Sequence, residues 1–468
     1  MRNFNLQRAG SLLLILSVLL FGFPVSSQGA EPEQYIRIGL YYGETAKTSY
    51  TITSTTGFLL GSVTDDGFSP TLPLPAYTEL TATIEGSYVA LRGNNGELIS
   101  SDVGSNGGIY PLDETVGTGM LLDSKSYRGG FLFTISQNGK LNAINYVTMD
   151  EYLYGVLHKE MSQSNPLESL KAQAVAARSF ASLNTGRHAS DGFDLCGTTH
   201  CQVYDGIAAE YPSTVKAVDE TSGLELYDGS EPVFGYYHKN SGGHTQNSVD
   251  VWSTAAGYLS GKPDPYSPGY PWSITMTFDV LKSKLEAAGH DPGTIRSVRV
   301  GGRNSASAVA SLIIDGANGV ITLEKERIRT VLGTTLVRSR HFVIGDSYPE
   351  TNGIGSGTVE VTLANDKASS PAPESIYVLT ANGGVIVKPL KDIYLSNGTR
   401  TVTPLTVPTE GRPVFNDSVP ATGDKVTFSG QGFGHGVGMS QDGAIAMAKM
   451  GFDFKQILTF YYTGIEVK

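Results

Sequence analysis

Four side chains able to hold a soft metal ion fall within fourteen residues: His188, Cys196, His200 and Cys201. Two imidazoles and two thiolates are the ligand set of a closed, tetrahedral, structural zinc site. These are also the chain's two cysteines, so a Cys196–Cys201 disulfide closing a four-residue loop is the other reading. Cys196, His200 and Cys201 are local. His188 requires the chain to fold back through Gly192, and if it stayed out, water or a ligand atom could take the fourth position. A second concentration of polar and aromatic types is Phe234–Thr245, with Tyr237, His238 and Ser241 on a strand-to-loop edge. A third is Gly430–Gln441, where five glycines in nine residues precede Ser440 and Gln441 and surround His435. A backbone without Cβ atoms can pass close to a neighbour, so this loop reads either as a cleft wall or as a tight packing turn.

The elements that must position these groups read as an α+β fold, rich in strands with a few helices around a cleft. From Gln34 to about Thr148, short alternating runs such as Tyr35–Leu40, Tyr88–Leu91 and Gly130–Thr134 are separated by Gly, Asn, Asp and Ser. Gly93-Asn94-Asn95-Gly96 and Asn138-Gly139 are hairpin signals. The texture changes at Met149, where Asp150 to Leu157 reads as a short helix. Asn165 as a cap, Pro166 in the first turn and Glu168 after it predict a stronger helix with Leu167, Leu170, Ala174 and Ala177 on one face. Strands and loops resume from Cys196 to about Phe342, with a further helix over Glu324–Leu332. Residues 351–423 are rich in Gly, Ser, Thr and Pro yet hold strand-like runs at Ser375–Leu379 and Gly384–Val387, which reads as an inserted β element. A small-residue helix follows the glycine loop, and Asp453 with Gln456 caps a last helix ending near Tyr461. No internal repeat is present.

Composition bounds the function. The 468 residues are 40% hydrophobic and 17% charged, with a net charge of -11. This excludes a charge-rich coiled coil and a polytopic membrane protein, and the acidity disfavours nucleic acid as a partner. Arg2 and Arg8, the apolar run Leu12–Phe23 and the small polar stretch Pro24–Ala30 read as an export signal. Some twelve apolar residues are too few to span the roughly 30 Å of a bilayer core comfortably. Uncleaved, the same segment would be an N-terminal membrane tether. Either way the rest is expected outside the membrane, at the cell wall or on the outer membrane face.

Four blocks in order, Tyr152–Met161, Pro166–Ala181, Ser241-Gly242-Gly243 and Gly434–Gln441, resemble the SpoIID/LytB family of bacterial wall proteins. The likeness covers roughly residues 126–345 and 424–466. The N-terminal 90 residues and the insert match only loosely, so the chain divides into a signal or anchor over 1–30, a β-rich region over 34–125 and an insert over 351–423, with the resemblance implying a catalytic domain over 126–350 and 424–468. The resemblance implies a lytic transglycosylase acting on peptidoglycan glycan strands in spore engulfment or wall remodelling or, in the LytB branch, a non-catalytic activator of a wall amidase. Glu160 is the acid the resemblance nominates, and Arg178 is expected to point at the cleft and contact substrate. Tyr237, His238, Ser241, His435, Ser440 and Gln441 suit sugar hydroxyls. A lytic transglycosylase needs one carboxyl group, because the muramic acid's own C6 hydroxyl attacks the anomeric carbon. Glycosidases that use two need a partner about 5 to 9.5 Å away. Some family members resemble this chain in carrying the Cys/His positions, which favours zinc there.

Overall fold

The structure is a computed structural model describing residues 34–345 and 420–468, apart from 65–66, 105, 114–116 and 118, with strands and single residues between 346 and 419. The export segment lies outside the described residues. The fold is α+β. A seven-stranded sheet runs in the order Leu195–Cys196, Tyr35–Tyr41, Leu141–Thr148, Gly130–Ile135, Gly107–Pro111, Phe58–Thr64, Gly67–Leu74. A six-stranded sheet runs Lys125–Tyr127, Met120–Leu122, Ser49–Thr53, Glu79–Glu85, Tyr88–Gly93, Leu98–Ser100. Both expected hairpins form, with Gly96 at φ 81° and Gly139 at φ 73° in their turns.

The boundary expected near residue 125 cuts through this architecture. Tyr35–Tyr41 pairs antiparallel with Leu141–Thr148 and parallel with Leu195–Cys196. One core contains Ile36, Phe58, Leu80 and Phe131 from the sheets together with Tyr152, Leu157 and Leu170 from the helices that follow. The β-rich region cannot bury its apolar face without those helices, so strands and helices are one folded unit.

Eight α-helices occur among the described residues: α1 (Met149–Glu160), α2 (Leu167–Ser182), α3 (Pro212–Asp219), α4 (Ser248–Trp252), α5 (Phe278–Ala287), α6 (Arg327–Leu332), α7 (Gln441–Lys449) and α8 (Phe454–Tyr461). Helix α1 begins where Thr148 accepts from the Glu151 amide, with the Glu151 side chain returning a bond to Thr148. The cap expected for α2 moves by one residue. Pro166 is its N-cap, the Asn165 side chain donates to the Ser162 carbonyl, and Glu168 accepts from the Phe454 amide instead of closing a capping box. The Asp453/Gln456 box on α8 forms as expected. Helix α6 is shorter than Glu324–Leu332 because Gly319–Glu324 is a strand.

Helix α2 is buried on two sides. Leu170, Ala174, Ala177 and Ala181 join the core of the large sheets, and Ala172, Val175 and Ala176 join a second core with α7 and α8. Its alanines let neighbouring backbone come close: a Cβ on Gly235 would lie 2.2 Å from the Ala176 carbonyl oxygen. That contact seats Tyr236 and Tyr237 against the helix pair.

A third core lies inside the range read as the catalytic domain. Ile295–Arg303, Val309–Gly316, Gly319–Glu324 and Ala421–Thr422 form one sheet, and Pro271–Thr277, Lys425–Gln431 and Phe342–Ile344 form another, with α5 and α6 packed on them. Phe342–Ile344 and Lys425–Gln431 are antiparallel neighbours, so the chain leaves for the insert and returns at one place. Among the described residues the insert carries three antiparallel strand pairs, Thr358–Thr362 with Lys367–Pro371, Ser375–Leu379 with Val385–Pro389, and Tyr394–Ser396 with Thr401–Pro404. Lys425–Gln431 delivers the chain directly into the glycine loop.

Candidate active site and metal cluster

Glu160 is the last residue of α1, where the final carbonyls of a helix lack intrahelical partners. Gln441, the first residue of α7, supplies one: its Nε2 donates to the Glu160 carbonyl oxygen at 3.1 Å and reaches the carboxyl Oε2 at 3.5 Å. The same Nε2 is 3.3 Å from Oε1 of Gln173, a fully buried amide of α2 whose own Nε2 has no partner. The Tyr237 hydroxyl also acts on this carboxyl as a hydrogen-bonding neighbour that lowers its proton affinity. Burial pushes the Glu160 carboxyl above its ordinary value, and the Tyr237 and Gln441 hydrogen bonds pull against that without cancelling it. Neither neighbour is charged, and no second carboxylate is among the groups that shift it.

Tyr237 and Gln441 meet at Glu160 because two short strands pair. Tyr237–His238 runs parallel to Met439–Ser440, with Tyr237 opposite Met439 and His238 opposite Ser440. Glycines permit this. A Cβ on Gly438, at φ 70°, would lie 2.0 Å from the Tyr236 carbonyl oxygen, and one on Gly434 would lie 2.6 Å from the His238 Cβ. The glycine loop is thus a packing turn, set against the Tyr236–Asn240 segment and not against the helix that carries Glu160.

The hydrogen bonds of the remaining expected site residues run elsewhere than to Glu160. Arg178 is 2% exposed and does not face a cleft. Its Nη2 binds Asp150 at 2.8 Å and its Nη1 the Leu224 carbonyl at 3.1 Å. Asp150 lies ten residues before Glu160 on α1, about 15 Å away at 1.5 Å per residue. Arg178 therefore braces α2 against the start of α1. His238 gives Nδ1 to the Val437 carbonyl while its buried Nε2 has no partner, and burial holds it down at about 4. His435 accepts from the Val437 amide and stacks near His238 and Trp252, and burial holds it well below its usual value. Ser241 accepts from the Gly243 amide. Ser440 caps α7 by accepting from Gly443. Both serines are buried, and with the two neutral histidines they shape the loop that carries Gln441.

Three buried residues near Glu160 were not singled out in the sequence: Gln173, Gln202 and Tyr152. Tyr152 donates to Gln202 Oε1 at 3.0 Å, and Gln202 Nε2 donates to the Tyr237 hydroxyl oxygen at 3.0 Å. The available signal was an amide in an otherwise apolar setting, as in Lys171-Ala172-Gln173-Ala174-Val175.

The Cys/His residues do come together. The candidate ligand atoms of His188, Cys196, His200 and Cys201 all lie within 4.8 Å of one another. His188 arrives by the expected fold-back, with Gly192 at φ 88° and a bridge between His188 and Phe193. His188 Nε2 is 3.3 Å from His200 Nδ1, Cys196 Sγ and Cys201 Sγ are 3.6 and 3.5 Å from His200 Nδ1, and Cys201 Sγ is 3.6 Å from His188 Nε2. A tetrahedron with the usual zinc–nitrogen and zinc–sulfur lengths has edges of about 3.3 Å between nitrogens and about 3.6 Å between nitrogen and sulfur. The donor set and its spacing fit that ion. Both cysteines are free thiols in the structure. Burial opposes the Cys196 thiolate, but hydrogen bonds from Thr198, Tyr42 and His200 outweigh it and bring the thiol down to about 5. Burial pushes Cys201 up to about 11. Asp191 lies 3.4 Å from His188 Nδ1, where it can orient the ring.

With this geometry in view, residues 137–227 match a family model described as SpoIID, stage II sporulation protein. The chain is 29% identical to the amidase enhancer of Bacillus subtilis, a match covering 81% of this chain and 50% of that protein. It is 27% identical to an uncharacterized protein of Brachyspira hyodysenteriae, covering 75% and 74% of the two chains. It is 24% identical to stage II sporulation protein D of Bacillus subtilis, covering 69% and 76%. The match thus spans half the length of the amidase enhancer and about three quarters of the other two.

Proposed function

We propose that the chain, similar to the SpoIID/LytB family, is an exported, cell-wall-related sporulation protein that cleaves peptidoglycan glycan strands as a lytic transglycosylase, with Glu160 as its acid and base. The observation carrying this reading is a single, desolvated carboxyl touched only by neutral donors. Burial keeps Glu160 protonated to higher pH than a surface glutamate, as a general acid needs. The protonated carboxyl gives its proton to the glycosidic oxygen as the bond to the muramic anomeric carbon breaks. The muramic C6 hydroxyl attacks that carbon, and Glu160, now ionised, takes the hydroxyl proton. The product carries a 1,6-anhydro end, no water is consumed, and Glu160 returns to its starting state. Tyr237 and Gln441 hydrogen-bond the carboxylate during the interval in which it is charged. The rate is expected to fall as pH rises through the elevated Glu160 value.

Zinc at His188, Cys196, His200 and Cys201 is part of the same proposal. With four protein ligands it has no open position for substrate, so what it supplies is a fixed loop. Likeness to an amidase enhancer supports a second reading, in which the chain activates a wall amidase and Glu160 is dispensable. Purified glycan strands incubated with the protein separate the two. The enzyme reading requires anhydromuramic ends by mass spectrometry and their loss in Glu160→Gln, whereas no such ends from the unmodified protein would sink it.

A further inference from the structure

Gln202 directly follows Cys201 in sequence, and its side chain points away from the Cys/His cluster into the protein, where it is 2% exposed. Every polar atom of its amide is used. Oε1 accepts from the Tyr152 hydroxyl at 3.0 Å, and Nε2 donates to the Tyr237 hydroxyl oxygen at 3.0 Å and to the Ala177 carbonyl at 3.4 Å. The directions are fixed by chemistry. The Ala177 carbonyl can only accept, so the amide nitrogen must lie on its side, which is also the Tyr237 side, and the amide donates toward Tyr237. With its oxygen accepting from Gln202, the Tyr237 hydroxyl has its proton free for Glu160, and donors in such a chain polarise one another. The segment that carries Gln202 is held from outside: Cys196 and Cys201 join the cluster, and Gly197 and Tyr204 close the loop by a backbone hydrogen bond.

We propose that Gln202 is a positioning residue that couples the Cys/His cluster to Glu160 through Tyr237. The cluster fixes the loop, the loop fixes the Gln202 amide, and the amide aims the Tyr237 proton at the carboxyl. This deepens the catalytic reading of Glu160 and rests on it. The other groups facing Glu160 cannot substitute. Gln441 from α7 and Gln173 from α2 are uncharged, and the phenol of Tyr152 is held neutral by burial. His158 stacks on Tyr211 and Lys159 pairs with Asp205.

The test uses the full chain loaded with zinc chloride. It reads Glu160 protonation by carboxyl carbon NMR, assigned by its disappearance in Glu160→Gln, and strand cleavage across pH. Gln202→Met is expected to keep its zinc, to move the Glu160 titration midpoint and the alkaline limb of kcat upward together, and to lower kcat about tenfold at constant KM. In a Tyr237→Phe background the same substitution is expected to change each by less than about twofold, because the route is already cut. Removing zinc with a chelator is expected to shift the midpoint in the unmodified protein and to add nothing in Gln202→Met. Equal losses in both backgrounds, an unmoved midpoint, or a chelator effect that persists in Gln202→Met would overturn the coupling. If Gln202→Met does not fold, Tyr152→Phe reads the chain one link earlier, with a smaller upward shift that must vanish beside Tyr237→Phe. If no strands are cleaved, the catalytic reading fails while the NMR midpoint still decides the coupling.

Discussion

The Cys/His cluster and the Glu160 site lie one residue apart at Cys201 and Gln202, yet they are built in opposite ways. The cluster draws four candidate ligands from the fourteen residues His188–Cys201. The Glu160 site draws on α1, α2, the Gln202 loop, the Tyr237 strand and the start of α7, spanning Tyr152 to Gln441. A candidate metal site on one loop works first through its own few residues, so its loss should be felt mainly as stability and should reach Glu160 only through the Gln202 amide. A carboxyl activated by burial and neutral donors depends on how distant elements pack, so its loss should be felt as chemistry. Substitutions that exchange these two outcomes would break the contrast.

The largest expected effect is chemical. Glu160→Gln should lower strand cleavage by about 10³-fold or more while leaving zinc content unchanged, because the amide occupies the same space but cannot deliver a proton. Measured anhydromuramic ends per hour check this, and retained activity would move the chemistry elsewhere.

A second experiment concerns Arg178, which belongs to neither site. Asp150→Ala strands a guanidinium that is 2% exposed and should cost about 3 kcal/mol or more. Arg178→Met should cost less, since the Asp150 side chain keeps 26% exposure and can be hydrated, with Ser222 still bound to it. Denaturant melts rank the two. A rise in KM for glycan strands with unchanged stability in Arg178→Met would return the residue to the cleft.

The cluster should give the next largest change, and a different one. His200→Ala together with Cys196→Ser should abolish stoichiometric zinc by metal analysis. With the metal at about a hundredfold over its dissociation constant, binding is worth about 2.7 kcal/mol, so the melting midpoint should drop by several degrees. If the purified protein instead contained a Cys196–Cys201 disulfide, a free-thiol assay would find no reactive cysteine and the metal assignment would fall.

The contrast also explains what the sequence could disclose. Cys and His are rare and chemically marked, so four of them in one loop are conspicuous before any fold is known. Glu160 stands out only through its resemblance block, because an isolated glutamate at a helix end is ordinarily a solvated surface residue. Gln173 and Gln202 are amides, a type with no titration and no metal preference, and only the packing of α2 against its neighbours turns them toward the acid. Arg178 misleads for the reverse reason. A charge on an amphipathic helix reads as pointing outward, but α2 is apolar on two faces and its arginine is buried with a carboxylate from α1. Hairpins and the α8 cap were legible because their turn and cap residues act locally. The sheet that crosses residue 125 was not, because strand pairing between Tyr35–Tyr41 and Leu141–Thr148 leaves no local mark.

The smallest expected effect ties stability to the acid itself. Burial raises the Glu160 carboxyl, so between the unfolded value near 4.3 and the higher folded one the native state binds a proton that the unfolded chain has released. Stability must then fall as pH rises through that interval, since it rises with pH only where the unfolded state holds more protons. The amide introduced by Glu160→Gln has no such proton to exchange. The variant and the unmodified protein should therefore melt alike below about pH 4, with the variant becoming the more stable as pH increases and the gap levelling off above the folded value. Each tenfold displacement of proton affinity is worth about 1.4 kcal/mol, which is a melting difference of a few degrees. A gap that stays constant across pH would mean that Glu160 is hydrated like a surface glutamate, and the burial that distinguishes its site from the metal loop would then have no consequence for the proton it is meant to hold.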